Sequence, residues 1–514
     1  MSMSTGVEPT IDVKVFVDKE RGKVLFAESG KEFVDVLFGF LTLPLGTVVR
    51  LLGGQSQVGC LDELYRSVEG LSTDLFRTEA CKAMLLRPIN AAAKQCCQLT
   101  VRVDDTKHRE VYVCGDTSCS VTAFSSVPGV VCRCGKVMAK LAGERPMNGR
   151  NAAVGGAPED GVFVKGGMKY IVTDDLKVAP ASTSLMLTLL DEFQVPDPSS
   201  LEQRILQFSS DKIIDLLRRS LTSPNPFTGH YLDVAVAPDD SVVDMLPEYL
   251  HPKEQDSEAE HLLVNASLRV LQTKNNSKVL YAEVNGDFVD LLFGLLTIPL
   301  GSIVKRYGKS ASKGCFDNLY TSIDGSAQGF LRPECQNLLL SPMLAPFFGC
   351  GASTMLHVQE LAPDNQEINA CLKCIKDRGF ANLVSCHGKL WYRKSYHQYC
   401  NESVKTTDLC ELDAKSPKGG SDNGGAYVKQ GPQKFIVTDD LHVLPLSLAS
   451  TLQVVIEAKL QRKDLVEKEV ALTKPQVMEL LRTALVTRRA LTTVLLPPIP
   501  KINKKLHYHS FGLY

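Results

Sequence analysis

The chain has 514 residues, of which 44% are hydrophobic and 22% charged, with 57 basic against 58 acidic side chains and a net charge of −1. That length exceeds one ordinary core, so two or more domains are expected, and the composition is that of a soluble globular protein. The charge balance excludes a global pull toward nucleic acid or anionic lipid; such a partner needs a local patch.

In chain order, the N-terminal MSMSTGVEPTIDVKV lacks a basic region followed by an apolar run and does not read as a secretory signal. The expected compartment is the cytoplasm, with the nucleus left open. The 16 cysteines are then expected free, buried or metal-bound rather than paired as disulfides. VKVFVD (13–18) and KVLFAE (23–28) are short alternating runs around ERG, a hairpin signal. Lys31 to Leu41 reads as a helix with Phe33, Val34, Leu37, Phe38 and Leu41 at core spacing. It lies in FVDVLFGFLTLPLG (33–46), and the uncharged run from Val36 to Val49 is 14 residues long. A membrane span needs roughly 20 apolar residues. Pro44 also interrupts any continuous helix. The segment is therefore expected to be a buried core helix ending at a proline break, with no membrane span.

TVVRLL and CLDELYRSV read as further short helices, and CQLTVRV and EVYVC as strands. KYIVTDDLKV (169–178) reads as strand, turn and strand. STSLMLTLLDEF, with a Ser or Thr cap, and DKIIDLLRRSL close the unit as helices. Without regular βαβ alternation, the fold class is α+β.

The chain is then written again. FVDVLFGFLTLPLG returns at 288–301 as FVDLLFGLLTIPLG, identical at 11 of 14 positions. KVLFAE returns as KVLYAE (278–283), GCLDELY as GCFDNLY (314–320) and KYIVTDDLKV as KFIVTDDLHV (434–443). IIDLLRRSL has a fainter echo in VMELLRTAL (477–485). The expected organisation is a tandem duplication: a first unit at 10–222, an acidic, proline-containing linker at 223–262, a second unit at 263–496 and a tail at 497–514. Between Asp239 and Glu260 the linker carries eight acidic residues against one lysine, a solvated composition. Each unit also holds a Gly-rich loop, 143–161 and 415–425, that fits neither a P-loop nor a dinucleotide fingerprint. The large apolar content of each copy predicts that the two pack together as an internal pseudo-dimer.

The repeated F-V-D-x-L-F-G-x-L-T-x-P-L-G and I-V-T-D-D-L-x-V, with the cysteine-bearing middle and the terminal L-L-R-x-x-L helix, resemble the plant family catalogued as domain of unknown function 674. The resemblance covers both units. It implies a plant source and a non-secreted protein, and no activity, substrate or catalytic residue.

The strongest chemical signal is Cys114, Cys119, Cys132 and Cys134, spaced C-x4-C-x12-C-x-C, with Gly115 and Gly135 for tight turns. Four thiolates in two close pairs suit a tetrahedral structural zinc in a small ribbon-like element, although ribbons usually use C-x2-C pairs. The bland reading is four buried or free thiols. The second unit offers Cys371, Cys374, Cys386 and His387, with Cys400 nearby, in a less regular arrangement. The acidic pairs Asp174–Asp175 and Asp439–Asp440 read as turn residues rather than acid/base partners. Asp35 and Asp290 read as helix N-terminal carboxylates favoured by the dipole. GKS (308–310) lacks the upstream glycine of a P-loop, Ile303 standing there.

No catalytic or cofactor-binding residue emerges. The leading expectation is a non-enzymatic interaction or regulatory protein with protein partners, stabilised by structural zinc. The alternatives are an enzyme of unfamiliar type with a site between the repeats, and zinc-dependent nucleic-acid binding. The basic runs at Arg488–Arg489 and Lys501, Lys504, Lys505 are too small to favour the last.

Overall fold

The structure is a computed structural model that describes residues 8–104, 110–116, 119, 122–141, 160–233, 267–325, 329–363, 365–370, 405–416 and 426–497. The first half contributes strands β1 (Ile11–Asp18) and β2 (Lys23–Ser29). Five two-residue strands follow: β3 (Tyr112–Val113), β4 (Ala123–Phe124), β5 (Val130–Val131), β6 (Val137–Met138) and β7 (Lys140–Leu141). Then come β8 (Tyr170–Thr173), β9 (Val178–Pro180) and β10 (Leu201–Phe208). The second half contributes β11 (Ser267–Thr273), β12 (Val279–Val284), β13 (Asn365–Ala370), β14 (Lys405–Glu411), β15 (Phe435–Thr438), β16 (Val443–Pro445) and β17 (Leu465–Ala471). Two antiparallel sheets follow the same order, β10-β1-β2-β8-β9 and β17-β11-β12-β15-β16. With the helices below, the architecture is α+β.

The sheets follow from period-2 patterning. In β1, Ile11, Val13, Val15 and Val17 are buried while Asp12 and Lys14 are exposed, so one face joins the core. Part of the opposite face is covered by helix, where Leu189 and Leu190 pack with Leu25, Phe26 and Ile171, while Asp12 and Lys14 at its β1 end face water.

Apart from the short turns Ala93–Cys96 in this half and Gly351–Met355 in the second, the helices of the first half are α1 (Lys31–Gly39), α2 (Leu45–Leu51), α3 (Leu61–Gly70), α4 (Glu79–Leu86), α5 (Thr183–Glu192), α6 (Ser210–Thr222) and α7 (Pro226–Tyr231). Those of the second half are α8 (Gly286–Gly294), α9 (Leu300–Tyr307), α10 (Asp317–Asp324), α11 (Pro333–Leu340), α12 (Leu448–Glu457), α13 (Lys474–Val486) and α14 (Ala490–Leu495). A 3-10 turn, Phe40–Thr42, follows α1, and Pro44, at φ −63° and ψ 145°, opens α2. A missing N–H costs nothing at a helix start, which is why the proline sits at that joint. Every residue from 33 to 49 is buried. A helix apolar on all sides belongs inside a protein, and here the second half supplies the outer wall.

The repeated LTLPLG and LTIPLG meet each other. Leu45 N donates to Ile298 O, and Leu300 N donates to Leu43 O, both at 2.9 Å, around a bridge between Pro44 and Pro299. Gly46 and Gly301 permit the approach: a Cβ at Gly46 would lie 3.0 Å from Leu296 O, and one at Gly301 would lie 2.9 Å from Leu41 O. Other contacts are reciprocal in the same way. Cys60 N reaches Ala484 O at 2.7 Å and Cys315 N reaches Ser220 O at 3.0 Å, so each half satisfies a C-terminal helix carbonyl of the other. Ser67 Oγ accepts from Val443 N at 2.8 Å, and Ser322 Oγ accepts from Val178 N at 2.9 Å. One continuous hydrophobic core spans both halves.

Several local expectations are corrected. CQLTVRV forms no strand: Leu99 and Val101 are buried, but the segment follows a single helical turn, Ala93–Cys96, as irregular chain. EVYVC shrinks to the two residues of β3, held by β7 and by Ser125. The edge strand β10, LEQRILQF, has no counterpart among the expected strands because both of its faces are largely exposed, Ile205 at 65%. At the head of the segment read as a linker, Pro226–Tyr231 form α7, and Phe227 is fully buried. Residues 234–266 lie outside the described residues.

Candidate metal centre

The four cysteines of the first half are brought together by three short chain reversals. β3 delivers Cys114 to the start of a turn, and the β5–β6 hairpin carries Cys132 and Cys134 across its tip. That tip closes through Cys132 N to Lys136 O and Gly135 N to Cys132 O, both 2.8 Å, with Gly135 at φ +83°. A side chain at that φ is strained, so glycine in C-x-C-G is set by the turn. Cys119 is fixed from the other direction, its carbonyl accepting from both Thr122 N and Thr122 Oγ1 at 3.1 Å.

All four Sγ atoms lie within 4.8 Å of one another, and Cys114 Sγ sits 3.5 Å from Cys134 Sγ. A tetrahedral zinc with Zn–S bonds of about 2.3 Å would set sulfurs about 3.8 Å apart. The cluster therefore needs only small adjustments and could hold a metal ion. Cys114 and Cys132 are buried, Cys119 is half-buried and Cys134 is exposed. Backbone N–H groups already point at the sulfurs: Asp116 N donates to Cys114 Sγ at 3.4 Å, Lys136 N donates to Cys134, and Cys134 N to Cys132. Such donors favour the thiolate, the form that binds metal. Burial pushes the Cys114, Cys119 and Cys132 thiols up, whereas the Lys136 N–H holds Cys134 down at about 7. A divalent ion would reverse the first three by adding positive charge at the centre.

The cysteine element does not stand apart from the second half. β4 pairs in parallel with β14, Ala123 opposite Cys410 and Phe124 opposite Glu411. Cys410 N donates to Thr122 O at 3.0 Å and Leu412 N to Phe124 O at 2.8 Å. Ser126 Oγ also donates to the Glu411 carboxylate. Of the second unit's candidates, Cys371, Cys374, Cys386, His387 and Cys400 lie outside the described residues.

The acidic candidates are structural fasteners. Asp174 accepts from Thr228 N at 2.9 Å and Thr228 Oγ1 at 2.6 Å, and Asp439 accepts from Thr492 N and Oγ1 at 2.7 Å, tying each hairpin turn to α7 or α14. Asp175 turns the other way, toward Thr173 Oγ1 at 2.5 Å and Asn318 Nδ2 at 3.1 Å. Asp35 does more than meet a dipole. It accepts from Val162, Phe163 and Val164 N at 2.6, 2.7 and 3.0 Å, pinning onto α1 the segment that follows the Gly-rich loop. Burial nevertheless pushes its carboxyl up to about 6. Asp290 repeats the contact with Tyr427 and Val428 N at 2.5 and 3.2 Å. GKS forms a 3-10 turn after α9.

One assembly was not legible in the sequence. Lys415 is only 2% exposed, donates to Gly349 O and lies 4.0 Å over the Tyr427 ring. In the string KSPKGG nothing distinguishes it from a surface lysine. Between the halves, a small apolar pocket is lined by Leu45, Val48, Leu61, Leu300, Ile303 and Phe316 among others, with Ser312 its polar side chain. Among the described residues no helix is long and apolar enough to cross a membrane.

The family described as protein of unknown function (DUF674) matches residues 7–475 and 364–511. No curated protein matches the chain. No solved structure matches it either. With the match running over most of its length, the chain belongs to the DUF674 family.

Proposed function

We propose that this chain is a non-enzymatic interaction or regulatory protein whose first half is stabilised by a structural zinc held by Cys114, Cys119, Cys132 and Cys134. The carrying observation is the convergence of four sulfurs within 4.8 Å, three of them sheltered and all on short turns. Four protein thiolates complete a tetrahedral zinc and leave no position for substrate, so the metal supplies folding energy rather than catalysis. A tandem duplication is part of the same reading, supported by the repeated sequence and by two sheets of equal order. It would give the protein two related surfaces for protein partners.

The test is elemental analysis of the purified chain and of a Cys132→Ser, Cys134→Ser variant. One zinc per wild-type chain and none in the variant supports the reading; a metal-free wild type sinks it. The enzyme alternative has one observation in its favour: Cys81 of the first half and Cys350 of the second both lie within electrostatic reach of Asp290 and Lys415. The burial of Lys415 and Tyr427 there, and the apolar lining of the pocket between the halves, favour a core network instead. For the nucleic-acid alternative, salt-sensitive retention on DNA or RNA is the discriminating result.

A further inference from the structure

The metal centre lies where the two halves are stitched by backbone hydrogen bonds. Thr122 is the link. Its N–H and hydroxyl both bind the Cys119 carbonyl, and its own carbonyl receives the Cys410 N–H from β14. Two residues on, Phe124 O receives the Leu412 N–H. Anything that moves Cys119 therefore moves the acceptor edge on which β14 rests. The same strand leads directly into Asp413 and the buried Lys415.

The cluster is also lopsided toward solvent. Cys134 lies exposed on the β5–β6 tip while Cys114 and Cys132 are buried. Cys114 Sγ, 3.5 Å from Cys134 Sγ, is placed to resolve any oxidation begun at the exposed sulfur. Reactive cysteines of this kind are accessible and have a partner thiol within reach.

We propose that the centre is an oxidant-sensitive clasp: hydroperoxide joins Cys114 to Cys134, the metal leaves, and β14 of the second half loses its hold on β4. The inference rests on the metal reading above. In the first step the Cys134 thiolate attacks a peroxide oxygen, the O–O bond breaks, and the departing hydroxide takes a solvent proton to become water. A sulfenic acid remains on Cys134. The Cys114 sulfur then attacks the Cys134 sulfur, the S–S bond forms, and the second hydroxide leaves as water after taking another proton. Two thiolates have lost two electrons and the peroxide has gained them. The ion, left with two of its four ligands, dissociates. Thiol reductant and fresh zinc reverse the change.

The test uses the full-length chain loaded with zinc and treated with hydrogen peroxide. Zinc content is measured before and after treatment, the Cys114–Cys134 peptide is sought by mass spectrometry, and amide exchange is followed over 405–412. The expected result is one zinc released per chain, a cross-linked peptide lighter by two hydrogens, and at least tenfold faster exchange at Cys410 and Leu412. A Cys134→His variant keeps a ligand but lacks the exposed thiol. It is expected to hold zinc and to release it at least tenfold more slowly under peroxide. Zinc release without that disulfide, equal release from the histidine variant, or unchanged exchange in 405–412 would each overturn the proposal. A chain that holds no zinc before peroxide overturns the metal reading instead. In such a chain the clasp still stands or falls on the disulfide and the exchange.

Discussion

Replacing Gly314 with alanine is expected to unlatch the Cys315–Ser220 member of the reciprocal pair in which Cys60 N binds Ala484 O. A Cβ on Gly314 would lie 2.0 Å from Ser220 O and 2.7 Å from the carbonyl carbons of Ser220 and Leu221. These are backbone atoms of the last turn of α6, so the collision has no flexible side chain to absorb it. Relief requires α6 and the 314–316 turn to separate, which lengthens the 3.0 Å bond from Cys315 N to Ser220 O. Overpacking of this kind costs roughly 1–3 kcal/mol, and a lost hydrogen bond adds about 1 kcal/mol. The sum is about 2–4 kcal/mol. An unfolding entropy of about 2 cal/mol/K per residue over the chain converts this to a fall in Tm of roughly 2–4 °C. Gly70→Ala is the control, since a Cβ there meets nothing within 4 Å; it is expected to shift Tm by less than about 1 °C. Scanning calorimetry decides between them. A Gly314→Ala protein that melts with the wild type would refute the close interlocking of the halves.

Asp35 predicts a pH dependence with a definite sign. Its carboxyl is raised from 3.8 to about 6 by burial, so the folded state binds the proton more tightly than the unfolded chain. The associated stability is fully present below pH 4 and is lost as pH rises through 6. Tighter proton binding of that size sets a ceiling on the order of 3 kcal/mol. Urea melts between pH 4 and 7 should show this slope in the wild type and a shallower one in Asp35→Asn. Asp174→Ala removes both bonds to Thr228 and should cost about 1–3 kcal/mol in urea melts, by loosening α7 from the hairpin. Chelation of a zinc held at 100 times its dissociation constant should remove roughly 2.7 kcal/mol of stability, read as a fall in Tm in the wild type. The Cys132→Ser, Cys134→Ser variant should show no further fall.

The parts of the fold that were legible are those where a local pattern and the tertiary environment agree. The helix read from Lys31 to Leu41 is α1 and its 3-10 extension, because apolar spacing and Pro44 both mark its limits. IVTDDL was readable as a turn because Thr173 and Asp175 supply side-chain bonds that close it. β10 was not readable, since an edge strand with polar residues on both faces carries no alternation. CQLTVRV misled for the opposite reason: its apolar Leu99 and Val101 are buried in the core, but the segment pairs with no strand among the described residues. Asp35 could be placed on a helix from the sequence, but its partners lie 127 to 129 residues away, and only the fold brings them together. The cysteine quartet was legible because its spacing needs only local turns. Its junction with β14 was not, because that pairing joins segments from different halves of the chain.

The proposed stabilisation of the first half turns on whether its four cysteines hold a structural metal. Elemental analysis of the full-length protein, purified without added metal or chelator, tests it most directly. One zinc per chain is expected, absent from the Cys132→Ser, Cys134→Ser variant. Wild-type protein that is folded and free of zinc would contradict it.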